Sequence, residues 1–335
     1  MSILNFITKY AKAKPSRWHT PGHKGTLNDL DITELVCDEK LELAIKNAQN
    51  MAADFYSANS VHFLTNGSSI GIKAAILAND GGIISFSGQH QAIKEGMNLL
   101  AKRTYVHYDV GIGSDGLPNV VTASDVKKAI KNFSTSCTAV YIESPDYYGR
   151  VVKPDVITEI KKYSKRFFCD AAHGAHFAAS STLKNKCYAS VADVVNLSAH
   201  KTLDAYTQTA YLCVNDVRMQ DRINQALKNL GTTSPNYLLM ASLEQAIDNA
   251  KKYDYNRLEK DCLDFRKKVP CLDNDDFSRL VVDAKALGYS GKKLTQKLIS
   301  QNIYPEKFTD NYVVFIATPH ETQQDFGKLT QVILN

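Results

Sequence analysis

Short apolar runs alternate with segments of helical periodicity through most of this chain. Residues 61–64, 83–86, 105–108, 139–143, 167–170, 194–197 and 210–214 read as strands. Between them, 69–78, 92–102, 124–132 and 156–165 read as helices. Upstream, 39–56 places Leu41, Ile45, Ala48, Ala52 and Phe55 near one helical face. Apolar strands separated by helices predict a mainly parallel sheet covered on both faces. Ligands of such sheets bind beyond the carboxyl ends of the strands. Further on, 217–260 reads as helical with few breakers. Residues 277–283, a helix over 290–301, residues 313–317 and a helix over 321–333 then form a βαβα pattern. The expected division is an N-terminal segment over 1–38, a large domain over 39–240 and a small C-terminal α/β domain over 241–335.

Composition narrows the class without naming it. The 335 residues are 44% hydrophobic and 22% charged, an ordinary globular balance with room for a large and a small domain. Net charge is +5, but lysines are interleaved with acids and form no basic block, so no nucleic-acid surface is indicated. The seven cysteines make no CxxC pair; Cys169 and Cys213 lie in apolar runs that suit buried free thiols and a reducing compartment. Residues 1–17 lack the apolar core of a signal peptide, and no segment approaches the length of a membrane span. The expectation is a soluble cytoplasmic protein without a membrane or nucleic-acid partner.

The candidate chemistry gathers at predicted strand ends. The apolar run 191–197 ends in Ser198-Ala199-His200-Lys201. A lysine so placed can be partly desolvated, which disfavours the ammonium and makes the amine a Schiff-base nucleophile. Asp170 ends another strand, where it either caps a turn or pairs with a protonated pyridine nitrogen. Ala171 and Ala172 after it would let a flat ring lie close to the backbone. Gly67-Ser68-Ser69 stands between a strand and a helix, as either an ordinary cap or an anion seat. The Walker lysine and the GxGxxG spacing are both absent there. Together these segments offer the amine, the carboxylate and the phosphate seat that pyridoxal phosphate (PLP) needs. His173 and His176 are three residues apart and with Asp170 could be read as metal ligands. Gly174 and the lack of a further ligand rank a metal below PLP. His90 is a surface residue or a ring-stacking one. Tyr147 and Tyr148 pack or line a pocket.

Taken in order, these segments resemble the Orn/Lys/Arg decarboxylase family of fold-type-I PLP enzymes. The matching stretches are Thr20 to Gly25, Asn66 to Ser69, His90, Pro145 to Gly149, Asp170 to His176, Ser198 to Lys201, Gln208 to Tyr211, Thr233 to Tyr237 and Tyr304 to Lys307. The resemblance implies an aspartate-aminotransferase-like fold and decarboxylation of lysine, ornithine, arginine or a close analogue. It implies that Lys201 carries PLP, Asp170 holds the ring nitrogen, and Ala172 and His90 flank the ring. Gly67, Ser68, Ser69, His173, Ser198 and His200 belong around the cofactor, with His200 or Lys201 as the proton donor. Thr233 and Ser234 imply a homodimer with shared sites, to which 1–38 contributes. His23, Lys24, Tyr147 and Glu306 fall on the substrate side.

The sequence departs from the family pattern at Ala171, where a Glu is usual, and at Gln91-Ala92, where Lys-Ser is common. It also stops where members continue into a further C-terminal domain, so a shortened member is expected. Aminotransferases of this fold use a late arginine to fork the substrate carboxylate. No arginine follows Arg279. That favours a decarboxylase over an aminotransferase or a non-catalytic binding protein.

Overall fold

The computed structural model describes residues 1–36, 38–99, 105–133 and 137–335. Helix α1 (Ile3–Lys12) and helix α2 (Glu39–Tyr56) open the chain. Strand β1 (Ser60–Leu64) leads to α3 (Ser68–Ala78), β2 (Gly82–Phe86), α4 (Gln91–Asn98) and β3 (Tyr105–Tyr108). Next come α5 (Ala123–Lys131), β4 (Cys137–Glu143), α6 (Pro154–Tyr163), β5 (Arg166–Asp170), β6 (Val194–Leu197), α7 (Ala199–Thr202) and β7 (Ala210–Val214). Helices α8 (Gln220–Leu230), α9 (Tyr237–Ala250) and α10 (Tyr255–Arg266) follow. The chain closes with β8 (Arg279–Asp283), α11 (Gly291–Ser300), β9 (Lys307–Phe308), β10 (Tyr312–Ile316) and α12 (Gln323–Leu334).

The large sheet runs β1-β7-β6-β5-β4-β2-β3. β7 pairs antiparallel with both neighbours, and every other pairing is parallel. Alternate strand residues feed two cores. Ile83, Ala139, Tyr141, Phe168, Val194 and Leu212 pack with Ile72 and Ile76 of α3, Ile93 of α4 and Ile223 of α8. The intervening Ile84, Val140, Ile142, Phe167, Cys169 and Val195 face the other way, toward α1, α2, α5 and α6. Burial on both faces explains the near-continuous apolar strands. The small sheet, β8-β10-β9, is antiparallel, with α10, α11 and α12 packed on it through Leu258, Leu294 and Phe326.

Two helical expectations change. The stretch 217–260 is three helices, because Gly231 and Pro235 end one and Asn236 caps the next by accepting from Leu239 N. Asp254 caps the third in the same way. The helix expected over 92–102 runs from Gln91 to Asn98; residues 100–104 lie outside the described residues, as does Cys37. The other six cysteines are free. Among the described residues no helix is long and apolar enough to cross a membrane.

Candidate active site

Parallel register brings three strand ends together. Glu143 of β4 pairs with Asp170 of β5, and Asp170 pairs with Asn196 of β6. Asp170 is 1% exposed. Its Oδ1 accepts from Ala172 N at 3.1 Å and from Asn196 Nδ2 at 3.4 Å. Burial pushes its carboxyl above the ordinary carboxylate range, and the charges of His90 and Lys201 pull the other way. Glu143 is raised well above its usual range, first by burial and then by repulsion from Asp170.

Lys201 enters from α7, directly after β6. Its Nζ lies 3.1 Å from His173 Nε2, and His173 Nδ1 lies 3.0 Å from Arg279 Nη2. Burial lowers the Lys201 amine below its usual range against the opposing pull of Asp170 and Glu143. It lowers His173 further, with Arg279 and Lys201 adding to the effect. Arg279 opens β8 and is wholly buried. Its guanidinium stands 5.9 Å from the centre of the Tyr147 ring, which packs edge-to-face with the His173 ring, their centres 4.9 Å apart. Tyr147 OH donates to Glu306 Oε1 at 2.9 Å. A hollow of about 420 Å³ lined by Tyr304, Phe315 and Lys328 meets this cluster only at Glu306.

The start of α3 carries no side-chain cap. Gly67, at φ +82°, is the residue before it. Asn66 instead accepts from Thr232 N, so the cap reading fails for this segment. The first-turn amides, those of Ser68 and Ser69 among them, lie at the positive end of the helix. Ser198, fully buried at the start of α7, has an Oγ without a partner among the described residues. His200 Nδ1 donates to Thr209 O at 3.0 Å.

The other expected residues make contacts of their own, and of these His90 borders the cluster, its charge bearing on Asp170 and His173. His90 is exposed at the start of α4, its Nδ1 accepting from Ala92 N. Thr233 and Ser234 are exposed between α8 and α9, and Ser234 Oγ donates to Glu34 at 2.5 Å. His23 contacts Asp31 at 3.3 Å, and Lys24 Nζ donates to His19 O at 2.5 Å. His176 turns away from His173, toward Asp276 Oδ1 at 3.2 Å and Ser278 Oγ at 3.0 Å. Among the described residues no cluster of three or more ligand-type side chains could hold a metal.

Two members of the cluster escape a reading of motifs. Glu143 is a charged residue closing an apolar strand, the same local signal that singles out Asp170. Arg279, the last arginine of the sequence, is a charged residue opening one. The whole set offers a desolvated amine, a buried carboxylate, an uncapped helix start, an unpartnered hydroxyl at Ser198 and a small-residue bed at Ala171 and Ala172. These residues fit pyridoxal phosphate.

Comparison with known proteins agrees. Residues 28–283 match the family model for the major domain of Orn/Lys/Arg decarboxylases. The uncharacterised Bacillus subtilis protein YaaO is 28% identical over 94% of this chain and 73% of its own length. The arginine decarboxylase of the same organism is 23% identical over 98% and 75%. A Francisella novicida lysine decarboxylase structure superposes with a TM-score of 0.81 at 16% identity over 99% of this chain. This chain spans 59% of that structure's length. A Sphingomonas wittichii serine palmitoyltransferase gives 0.70 at 12% identity, over 98% of this chain and 82% of that one. The fold is that of fold-type-I PLP-dependent enzymes, and the chain belongs to the Orn/Lys/Arg decarboxylase family.

Proposed function

We propose that this protein is a PLP-dependent decarboxylase that converts lysine, ornithine, arginine or a close analogue into the corresponding amine. The observation that carries the reading is Lys201, a half-buried amine that faces His173 and feels the charge of strand-end Asp170. When bound, PLP supplies a conjugated cationic ring that takes up the electron pair left as carbon dioxide departs. Lys201 Nζ would hold the cofactor's aldehyde carbon. Asp170 would accept from the ring nitrogen and favour its protonated form. The start of α3, with Gly67, Ser68 and Ser69, would hold the phosphate together with Ser198 Oγ. Ala172 and His90 would flank the ring, and His173 orients Lys201. Glu306, oriented by Tyr147, receives the distal cation of the substrate, with His23 and Lys24 on the same side. Lys201 Nζ or His200 Nε2 returns a proton to the α-carbon.

The working unit in this reading is a homodimer in which Thr233 and Ser234 reach the partner's cofactor. Trp18, Leu27 and Val36 support it, being 92%, 85% and 84% exposed along the N-terminal segment. The free cysteines suit the cytoplasm. One observation favours transamination as a second reading: Arg279 Nε and Nη1 lack partners among the described residues, and a guanidinium is what clamps a carboxylate.

The test is product analysis. Protein reconstituted with PLP is incubated with lysine, ornithine and arginine. Carbon dioxide with cadaverine, putrescine or agmatine is the expected result. A keto acid would replace the reading with transamination, and a PLP-bound protein without product would make it a binding protein.

A further inference from the structure

Arg279, His173 and Lys201 form a line of hydrogen bonds from the small sheet to the lysine. A guanidinium nitrogen only donates. His173 Nδ1 therefore turns its lone pair to Arg279, and a neutral ring carries its proton on Nε2. That proton points at Lys201 Nζ, 3.1 Å away. An ammonium has no lone pair to accept it, whereas a neutral amine has one. A doubly protonated ring would set an N–H on Nδ1 against the guanidinium.

Arg279 has little room to turn away. It is wholly buried, and a Cβ added at Gly149 would lie 2.8 Å from its own Cβ. We propose that Arg279, acting through His173, fixes the Nε2–H tautomer and so holds Lys201 as a free amine before any aldehyde arrives. That this readies Lys201 for PLP rests on the function proposed above; the tautomer itself does not. Arg279 is thus a positioning residue, set two bonds of the relay away from the reacting nitrogen.

The surrounding charges oppose one another at Lys201. Asp170 from β5, Glu143 from β4 and Glu306 from the small sheet all favour an ammonium at Lys201. Arg279 opposes them, and the charges of Arg279, Lys201, His90 and His176 all bear on His173. Burial acts on the same side as the relay. With the relay broken, the three carboxyl groups would regain ground.

Two readouts on the cofactor-free full chain test this. The first is the ring ¹⁵N spectrum of His173 in histidine-labelled protein, assigned with His173→Gln. The Nε2–H pattern is expected at pH 7 and also below about 6.5, where a free imidazole takes a second proton. The second is the pH profile of the rate of PLP capture, which follows the amine fraction. Arg279→Met is expected to move the profile up by about one pH unit, a roughly tenfold slower capture on the acid limb.

His173→Leu should do the same although the Arg279 charge remains. His173→Gln should restore the midpoint of the wild-type profile, whatever its effect on the rate itself, because its amide can accept from Arg279 and donate to Lys201. An Nδ1–H or imidazolium pattern at pH 7 would overturn the proposal. So would profiles unmoved by Arg279→Met and His173→Leu. If the chain captured no PLP, the proposed function would fail while the spectrum still decided the relay. The spectrum needs no variant beyond the one used for assignment, so a substitution that failed to fold would not spare the proposal.

Discussion

A carboxyl group buried for chemistry costs stability, and Asp170 shows the sign. Burial raises its folded-state value, so the folded protein holds this proton more tightly than the unfolded chain does. Its contribution to stability is full below about pH 3.9, the unfolded value. It is lost as pH rises through the raised folded value. Glu143 follows the same sign from about pH 4.3. Asp170→Asn should therefore raise the stability of the cofactor-free protein by about 1 kcal/mol at pH 7, a gain that shrinks toward pH 4. The same change should weaken PLP binding by more than about tenfold, because the ring nitrogen loses its charge partner. Urea unfolding at several pH values and a PLP titration read the two effects. A loss of stability at pH 7 would instead show that the carboxylate is net favourable through Lys201 and His90.

At the scale of elements, the strand ends are what a sequence makes most legible. Runs such as Val194–Leu197 are apolar but for Asn196, so the polar residues that follow them mark the edge where ligands bind. Lys201, Asp170 and Ser198 are found that way. Periodicity alone runs through 217–260, yet the residues that divide it, Gly231, Pro235 and Asn236, are plain in the sequence. Helix packing is not legible in this way. α3 approaches the sheet at Gly71, where an added Cβ would lie 2.6 Å from Asn196 Oδ1 and 2.9 Å from Leu64 Cδ1. Asn196 in turn donates to Asp170. Gly71→Ala should therefore displace Asn196, cost about 1–3 kcal/mol of stability and weaken PLP binding. A variant with an unchanged urea midpoint and unchanged affinity would show that α3 gives way without disturbing the site.

At the scale of the molecule, the site joins the two sheets. Asp276 and Ser278, just before β8, hold His176; Arg279 holds His173; Glu306 holds Tyr147. His173 and Arg279 are 106 positions apart, and no local pattern reports such a contact. This is why a late arginine could be counted by sequence yet not placed. Burial alone would raise Asp276, but the charge and hydrogen bond of His176 prevail and hold it down to about 2. Its contribution to stability is present above about pH 3.9 and lost as pH falls through the folded value. Asp276→Ala should cost about 3 kcal/mol by urea unfolding at pH 7, since it strands a buried partner. An unchanged midpoint would mean that the sheets dock without this contact.

The central claim is that Lys201 is the residue that holds PLP. Borohydride reduction of the PLP-loaded protein, followed by peptide mapping, tests it most directly. The phosphopyridoxyl group is expected on the peptide carrying Lys201 and should be absent from Lys201→Ala. A label fixed on another lysine, or equal labelling of Lys201→Ala, would contradict the account.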